Sequence, residues 1–266
     1  MSYDVVFMHP PSVYDFRKRP VFSGPIAYTV GSNTQQFIEV PVGMLSIADY
    51  LERNGYRVLV YNLGDRMVAD NDFDVEDYIK KLSAKVYGID LHWCVHCQGA
   101  LEIAKLCKQL HPEAKVVMGG LTSTVFAEEI ISKYDFIDAV IRGEAEKPFL
   151  SFMKAMEKGE SFETVPNITF RDNSGIVKNM PLMAPNDSLD EFDFTRLDLL
   201  EPKRSIFSPA ILPNWTLPIY RGCIHNCVAC GGSAYSYGKY FGRKKLACRS
   251  PGKILQDIHK LSEQGI

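Results

Sequence analysis

Three thiols fall within eight residues, in the stretch Arg221-Gly-Cys223-Ile-His-Asn-Cys227-Val-Ala-Cys230-Gly-Gly232. On a short loop, CxxxCxxC spacing lets three thiolates hold three irons of a four-iron cluster and leaves the fourth iron open for substrate chemistry. Structural zinc competes with that reading, because zinc needs only one more donor and either His225 or Cys248 could supply it. The chain has seven cysteines, an odd number, and their clustering suits a metal site in a reducing compartment better than a disulfide framework.

Other constellations are weaker. Cys94-Val-His96-Cys97 with His92 could form a zinc site or a redox pair, while His92, Trp93 and His96 could simply cap and pack an element end. Gly119-Gly120 precedes Thr122, Ser123 and Thr124, and two glycines before a helix start let a bulky ligand lie against backbone while hydroxyls donate to it. Glu144 and Glu146 could bond a ligand's hydroxyls or amides, although Glu146 also suits a helix N-terminus. Cys107 shares a helical stripe with Ala100, Ile103, Ala104 and Leu110 and reads as core.

These groups must be positioned by the elements around them. Short β-branched runs recur at Asp4–Met8, Arg57–Tyr61, Val86–Asp90, Lys115–Met118 and Ile137–Ile141, separated by amphipathic stretches. That alternation predicts βα units in a doubly wound, flavodoxin-like α/β domain over residues 1–158, with its ligand outside the carboxyl ends of the strands. Residues 9–41 form an unusually long connection at that edge and read as a lid or an interdomain contact. A connector over residues 159–212 holds a hairpin signal at Asp172–Gly175 and frequent prolines. A second, incomplete α/β unit over residues 213–266 opens with a strand at Leu217–Tyr220 and ends in a helix capped by Ser250-Pro251.

With 266 residues and 46% hydrophobic positions, the chain can bury one large core or two small ones. Its net charge of −2 hides an asymmetry: residues 1–200 carry 20 basic and 29 acidic groups, and residues 201–266 carry 10 and 3. The basic end suits an anionic cofactor or an acidic protein partner, and nucleic acid is not expected. There is no apolar run long enough to span a membrane and no secretory signal pattern, so a cytoplasmic protein is expected.

The cysteine motif after Leu217-Pro-Ile-Tyr-Arg-Gly resembles the cluster motif of the radical S-adenosylmethionine superfamily. The βα domain before it resembles the cobalamin-binding domain that often precedes that motif, with Gly119-Gly120, Ile137-Asp138 and Arg142-Gly-Glu144-Ala-Glu146 as its ligand-edge loops. Pro10–Tyr14, Gly88–Trp93 and Cys230–Ser233 resemble a poorly characterised group of cobalamin-binding members.

The resemblance implies a 4Fe-4S cluster on Cys223, Cys227 and Cys230, S-adenosylmethionine beside Gly231 and Gly232, and cobalamin against Gly119, Gly120, Thr122, Ser123, His92, Trp93 and Glu144. It further implies formation of a 5′-deoxyadenosyl radical, methyl transfer to an unactivated carbon as one outcome, and an acidic flavodoxin or ferredoxin as electron donor. The family's catalytic domain is a partial (βα) barrel. Only its first strand, cluster loop and first helix are expected here, so the chain should bind a cluster without turning over.

Two departures from related patterns matter. Ala229 stands where the superfamily commonly has an aromatic residue. Asp90-Leu-His92-Trp-Cys-Val95 lacks the glycine of the Asp-x-His-x-x-Gly motif, so a histidine-ligated cobalt is not expected. The reading from another class is a non-catalytic corrinoid- or nucleotide-binding module with structural zinc.

Overall fold

The computed structural model describes residues 2–18, 39–184, 188–203 and 215–266. Most of the long connection after His9, expected to be a lid or an interdomain contact, lies outside the described residues.

The first part of the chain alternates strands and helices. It runs β1 (Ser2–His9), α1 (Val42–Glu52), β2 (Val58–Asn62), α2 (Leu63–Ala69), α3 (Val75–Lys81), β3 (Ser83–Asp90), α4 (Cys97–Leu110), β4 (Lys115–Gly119), α5 (Leu121–Val125), α6 (Ala127–Lys133), β5 (Ala139–Ile141) and α7 (Glu146–Lys158). β6 (Ile168–Arg171), β7 (Val177–Asn179) and β8 (Leu200–Glu201) follow. The last part holds β9 (Tyr220–Arg221), α8 (Ala234–Phe241), β10 (Ala247–Cys248) and α9 (Pro251–Glu263).

The five predicted strands are present and stand in the order β2-β1-β3-β4-β5, all parallel, as in flavodoxin-like sheets. Alternation along β1 sends Val5 and Phe7 to one face and Val6 and Met8 to the other. The first face packs on α1 and α7 through Leu45, Ala48, Phe149 and Phe152, with Phe7 edge-on to Phe149 at 5.0 Å. The second packs on α2, α3, α4 and α6 through Met67, Ile79, Ile103 and Ile131. Cys107 is fully buried there as a core thiol, and burial pushes its pKa up.

The sheet has eight strands rather than five. The Asp172–Gly175 turn folds β6 and β7 into an antiparallel hairpin that pairs with β5, and β8 adds in parallel to β2. Both additions cover edges that would otherwise expose unpaired backbone. The strand expected at Leu217–Tyr220 shrinks to Tyr220–Arg221, paired antiparallel with β10. Pro218 has no N–H to donate to a ladder, which shortens the pairing from its start.

The end of the chain is tied back to the sheet domain. Leu189, Phe192, Phe194 and Ala247 form a small core that meets Val42 and Tyr50 of α1. Ser250 caps α9 by accepting from Lys253 N–H, with Pro251 in the first turn, as its sequence predicts. Lys260 of α9 pairs with Asp193 at 2.6 Å. Among the described residues, no helix is long and apolar enough to cross a membrane.

Candidate functional site

The site lies where the parallel strands end. A cavity of about 260 Å³ opens at the carboxyl ends of β3, β4 and β5, with a floor of Phe7, Val117, Ile141 and Phe149 and a side wall from α1. Its polar groups are few: Asp90, His92, Glu144, Glu146 and Arg221. Tyr237 and Phe241 of α8 reach it from the last part of the chain. Burial lowers the His92 pKa, so its imidazole is neutral at pH 7.

The expected ligand-edge residues divide into two sets. Gly119, Gly120, His92 and Glu144 line the cavity. At Gly119 an added Cβ would meet only Ile141 O, at 3.9 Å, so this glycine leaves open backbone toward the cavity. Gly120 answers to the chain itself: its φ is +107°, and a Cβ there would lie 2.6 Å from His92 N.

Trp93, Thr122 and Ser123 do not line the cavity. The Thr122 hydroxyl donates to His92 O at 3.0 Å and the Ser123 hydroxyl to Gly120 O at 3.1 Å. The backbone N–H groups of the same two residues donate to His92 O and Leu91 O, so α5 turns its first donors to its own chain. Trp93 packs edge-on against His92 at 4.7 Å.

Glu144 and Glu146 carry a charge network that sequence alone did not reveal. Arg221, two residues before Cys223, reaches Glu146 Oε1 at 2.5 Å and Glu144 Oε2 at 3.2 Å. Arg243 pairs with Glu144 from the other side, with Nη2 donating to Oε2 at 2.8 Å. Ser46 of α1 donates to Glu146 Oε1 at 2.6 Å. The Arg221 guanidinium also lies over the Phe192 and Phe194 rings, at 5.6 and 5.5 Å. Burial alone would raise the Glu146 carboxyl, but Arg221 and the Ser46 hydroxyl hold it below the usual carboxylate range. The Arg221 pKa is raised in turn: burial works against its charge, and the two carboxylates outweigh that.

The cysteine loop starts where this network ends. Gly222, at φ +101°, reverses the chain between the inward Arg221 and Cys223, and a Cβ there would sit 3.0 Å from Lys245 O. Cys223 is half-buried, and Cys227 and Cys230 are exposed. The loop folds onto the start of α8. Cys230 N–H donates to Cys227 O, Ala234 N–H to His225 O, and Tyr235 N–H to the Asn226 side chain. His225 N–H points at Cys223 Sγ, 3.3 Å away. Gly231 would meet nothing within 4 Å if given a Cβ, and Gly232 only ordinary contacts with Tyr237 and Cys230 Sγ, so both are bare backbone beside the third thiol.

Sequence reasoning also missed His9 and Asp90. Each is the last residue of a buried strand, β1 and β3, and a polar residue in that position at a carboxyl edge was the available signal. His9 Nδ1–H donates to Asp90 Oδ2 at 2.8 Å, with both side chains buried. Of the Cys94/Cys97 pair, Cys94 is exposed, while burial and the neighbouring Cys94 push the Cys97 thiol pKa up, away from thiolate character.

This is the architecture of a doubly wound α/β domain with a slot at the strand ends. Residues 28–152 match the B12 binding domain family. The chain is 28% identical over 201 residues to an uncharacterized methyltransferase of Pyrococcus horikoshii, covering 75% of this chain and 42% of that protein. It is 25% identical over 236 residues to the anaerobic magnesium-protoporphyrin IX monomethyl ester cyclase of Rubrivivax gelatinosus, covering 84% and 39%.

Among solved structures it resembles the radical S-adenosylmethionine methyltransferase TsrM of Kitasatospora setae, solved with cobalamin and a 4Fe-4S cluster bound, at a TM-score of 0.62 and 17% identity over 100% of this chain and 47% of that one. It also resembles the cobalamin-dependent S-adenosylmethionine radical enzyme OxsB, solved with aqua-cobalamin and S-adenosylmethionine bound, at a TM-score of 0.63 and 14% identity over 97% and 31%. The chain therefore carries a B12 binding domain match and resembles, in fold, cobalamin-dependent radical S-adenosylmethionine proteins. It spans about two fifths of the length of these two curated relatives.

Proposed function

We propose that the chain forms the corrinoid-binding and cluster-binding portions of a cobalamin-dependent radical S-adenosylmethionine enzyme of the methyltransferase kind. The observation that carries this reading is that Arg221, Tyr237 and Phe241, which flank the CxxxCxxC loop, themselves wall the slot at the strand ends. One short span of chain thus serves both sites.

Residues 1–158 would hold the corrinoid, residues 159–212 connect, and residues 213–266 would hold the cluster. The slot fits part of a corrinoid. A cavity of about 150 Å³ holds one benzene, so 260 Å³ suits a two-ring apolar appendage and not a macrocycle. Gly119, His92 and Asp90 would contact that appendage, with Glu144 held back by its arginines. Thr122, Ser123 and Trp93 would act by shaping the loop that carries His92, and Gly120 by letting that loop pass.

Cys223, Cys227 and Cys230 would ligate the cluster, and the bare backbone of Gly231 and Gly232 would admit the methionine end of S-adenosylmethionine. When bound, these groups supply the electron that splits S-adenosylmethionine to a 5′-deoxyadenosyl radical, and a corrinoid-borne methyl group for transfer. The chain's own part would be to hold the two cofactors along a shared wall, with Arg221 kept charged by Glu144 and Glu146.

A four-iron cluster is favoured over structural zinc by ligand count. Cys223, Cys227 and Cys230 already supply the three thiolates a four-iron cluster takes, whereas a closed zinc site needs a fourth donor from His225 or Cys248. The basic surface has a role as well. Arg221, Arg243 and Arg249 are spent in internal ion pairs, while the exposed Lys239, Lys244 and Lys245 would dock an acidic flavodoxin or ferredoxin in a reducing cytoplasm.

Protein purified without oxygen is expected to contain about four irons and four acid-labile sulfides per chain. Cys227→Ala should lose both and still bind cob(III)alamin. About one zinc per chain with no sulfide would overturn the cluster assignment, and corrinoid binding that disappears together with the cluster would overturn the separation of the two sites.

A further inference from the structure

We propose that His9, Asp90 and His96 form a binding site for a single divalent transition-metal ion of the zinc or ferrous kind, separate from the cysteine loop. One ligand atom from each of the three residues lies within 4.8 Å of the others. Two imidazoles and one carboxylate are a donor set that zinc and ferrous iron both accept. Bonds of about 2.0–2.1 Å in a tetrahedral site place donors about 3.3 Å apart, so modest side-chain rotation closes the set around an ion.

Burial distinguishes this cluster from a surface group of histidines. His9 and His96 are fully buried and Asp90 is 6% exposed. An ionised carboxylate in that interior is costly unless a cation or several donors face it. The His9 and His96 rings meet edge-on at 4.9 Å, and the Trp93 indole stands edge-on to both, at 6.1 and 5.8 Å. Trp93 thereby walls the donors with an apolar surface that would exclude water and strengthen metal–ligand attraction.

The scaffold is rigid. Two donors are the last residues of the neighbouring strands β1 and β3, and the third sits in the single turn that leads into α4. Asp90 also lines the slot at the strand ends, so an ion here would stand at its wall. Neighbouring thiols are poor competitors, since Cys94 is exposed and neither Cys94 nor Cys97 belongs to the converging set of donors.

The test uses the full chain with Cys223, Cys227 and Cys230 changed to Ala, which removes the cluster ligands and makes the result independent of the proposed function. After metal stripping and addition of zinc, about one zinc per chain should survive gel filtration against a weak chelator. Co2+ in its place should show visible ligand-field bands without a sulfur-to-cobalt charge-transfer band. Zinc should raise Tm, because it binds the folded chain alone.

His96→Gln and His9→Gln should weaken zinc binding by more than the roughly 10–100-fold typical of a lost outer-shell partner, and abolish the Tm rise. The Tm and Co2+ spectrum of the unsubstituted site keep the idea testable if either variant fails to fold. Absence of bound zinc and of any Tm rise, or zinc that follows Cys94→Ser and Cys97→Ser rather than the histidine changes, would overturn the site.

Discussion

Arg221→Met is expected to destabilise the chain by about 3–5 kcal/mol, the usual result of removing one partner from a buried ion pair. Glu146 is 2% exposed at its side chain, and Arg221 supplies its counter-charge through two nitrogens. Glu144 keeps Arg243, so the uncompensated charge in the variant falls on Glu146. Met fills much of the volume over Phe192 and Phe194, which isolates the loss of charge from the loss of packing.

The pH dependence gives this prediction a sign. In the parent the Glu146 pKa is depressed when folded, so its contribution is present above the unfolded carboxylate pKa and is lost as pH falls through the folded one. In the variant burial, the largest influence, is opposed only by the Ser46 hydroxyl and a backbone N–H, and the folded pKa is expected above the unfolded one. Protonation then favours the folded form, and the variant should gain up to about 1.4 kcal/mol per pH unit on acidification from pH 7. Urea unfolding at pH 7 and 5.5 should therefore show the gap between parent and variant narrowing. A gap that stays constant or widens would mean that Glu146 does not lie unpaired in the variant's interior.

The parts of the site that were legible in sequence are those whose partners are local. Cys223, Cys227 and Cys230 share one loop, so their proximity could be read from spacing alone. The five parallel strands were visible because strands buried on both faces read as short β-branched runs. What escaped depends on the sheet bringing distant residues together. His9 meets Asp90 across 81 positions, and Arg221 meets Glu146 across 75. Thr122 looked like a donor to a ligand because its partner, His92 O, lies 30 residues away and spacing does not display it. The hairpin was legible as a hairpin, but nothing in its sequence says that it closes the β5 edge.

Gly99→Ala should cost at least about 3 kcal/mol, at or beyond the upper end of ordinary overpacking. Gly99 sits in the first turn of α4, where the chain leaving β1 crosses it and Gly99 N–H donates to Ser12 O at 3.3 Å. A Cβ at this position would stand 1.9 Å from Pro11 O and 2.9 Å from Pro11 C. Both are backbone atoms, so no side-chain rotation relieves the clash, and either α4 or the Pro10-Pro11 segment must shift.

In a helix interior the same change ordinarily stabilises by up to about 1 kcal/mol, so helix propensity and packing predict opposite signs, and the close approach decides between them. The crossing also spaces His9 from His96, since Pro11 follows His9 by two residues and Gly99 follows His96 by three. A urea midpoint that falls steeply, with a changed near-ultraviolet signal from Trp93, is the expected result. A midpoint equal to or above the parent's would show that the β1–α4 crossing is looser than the structure has it.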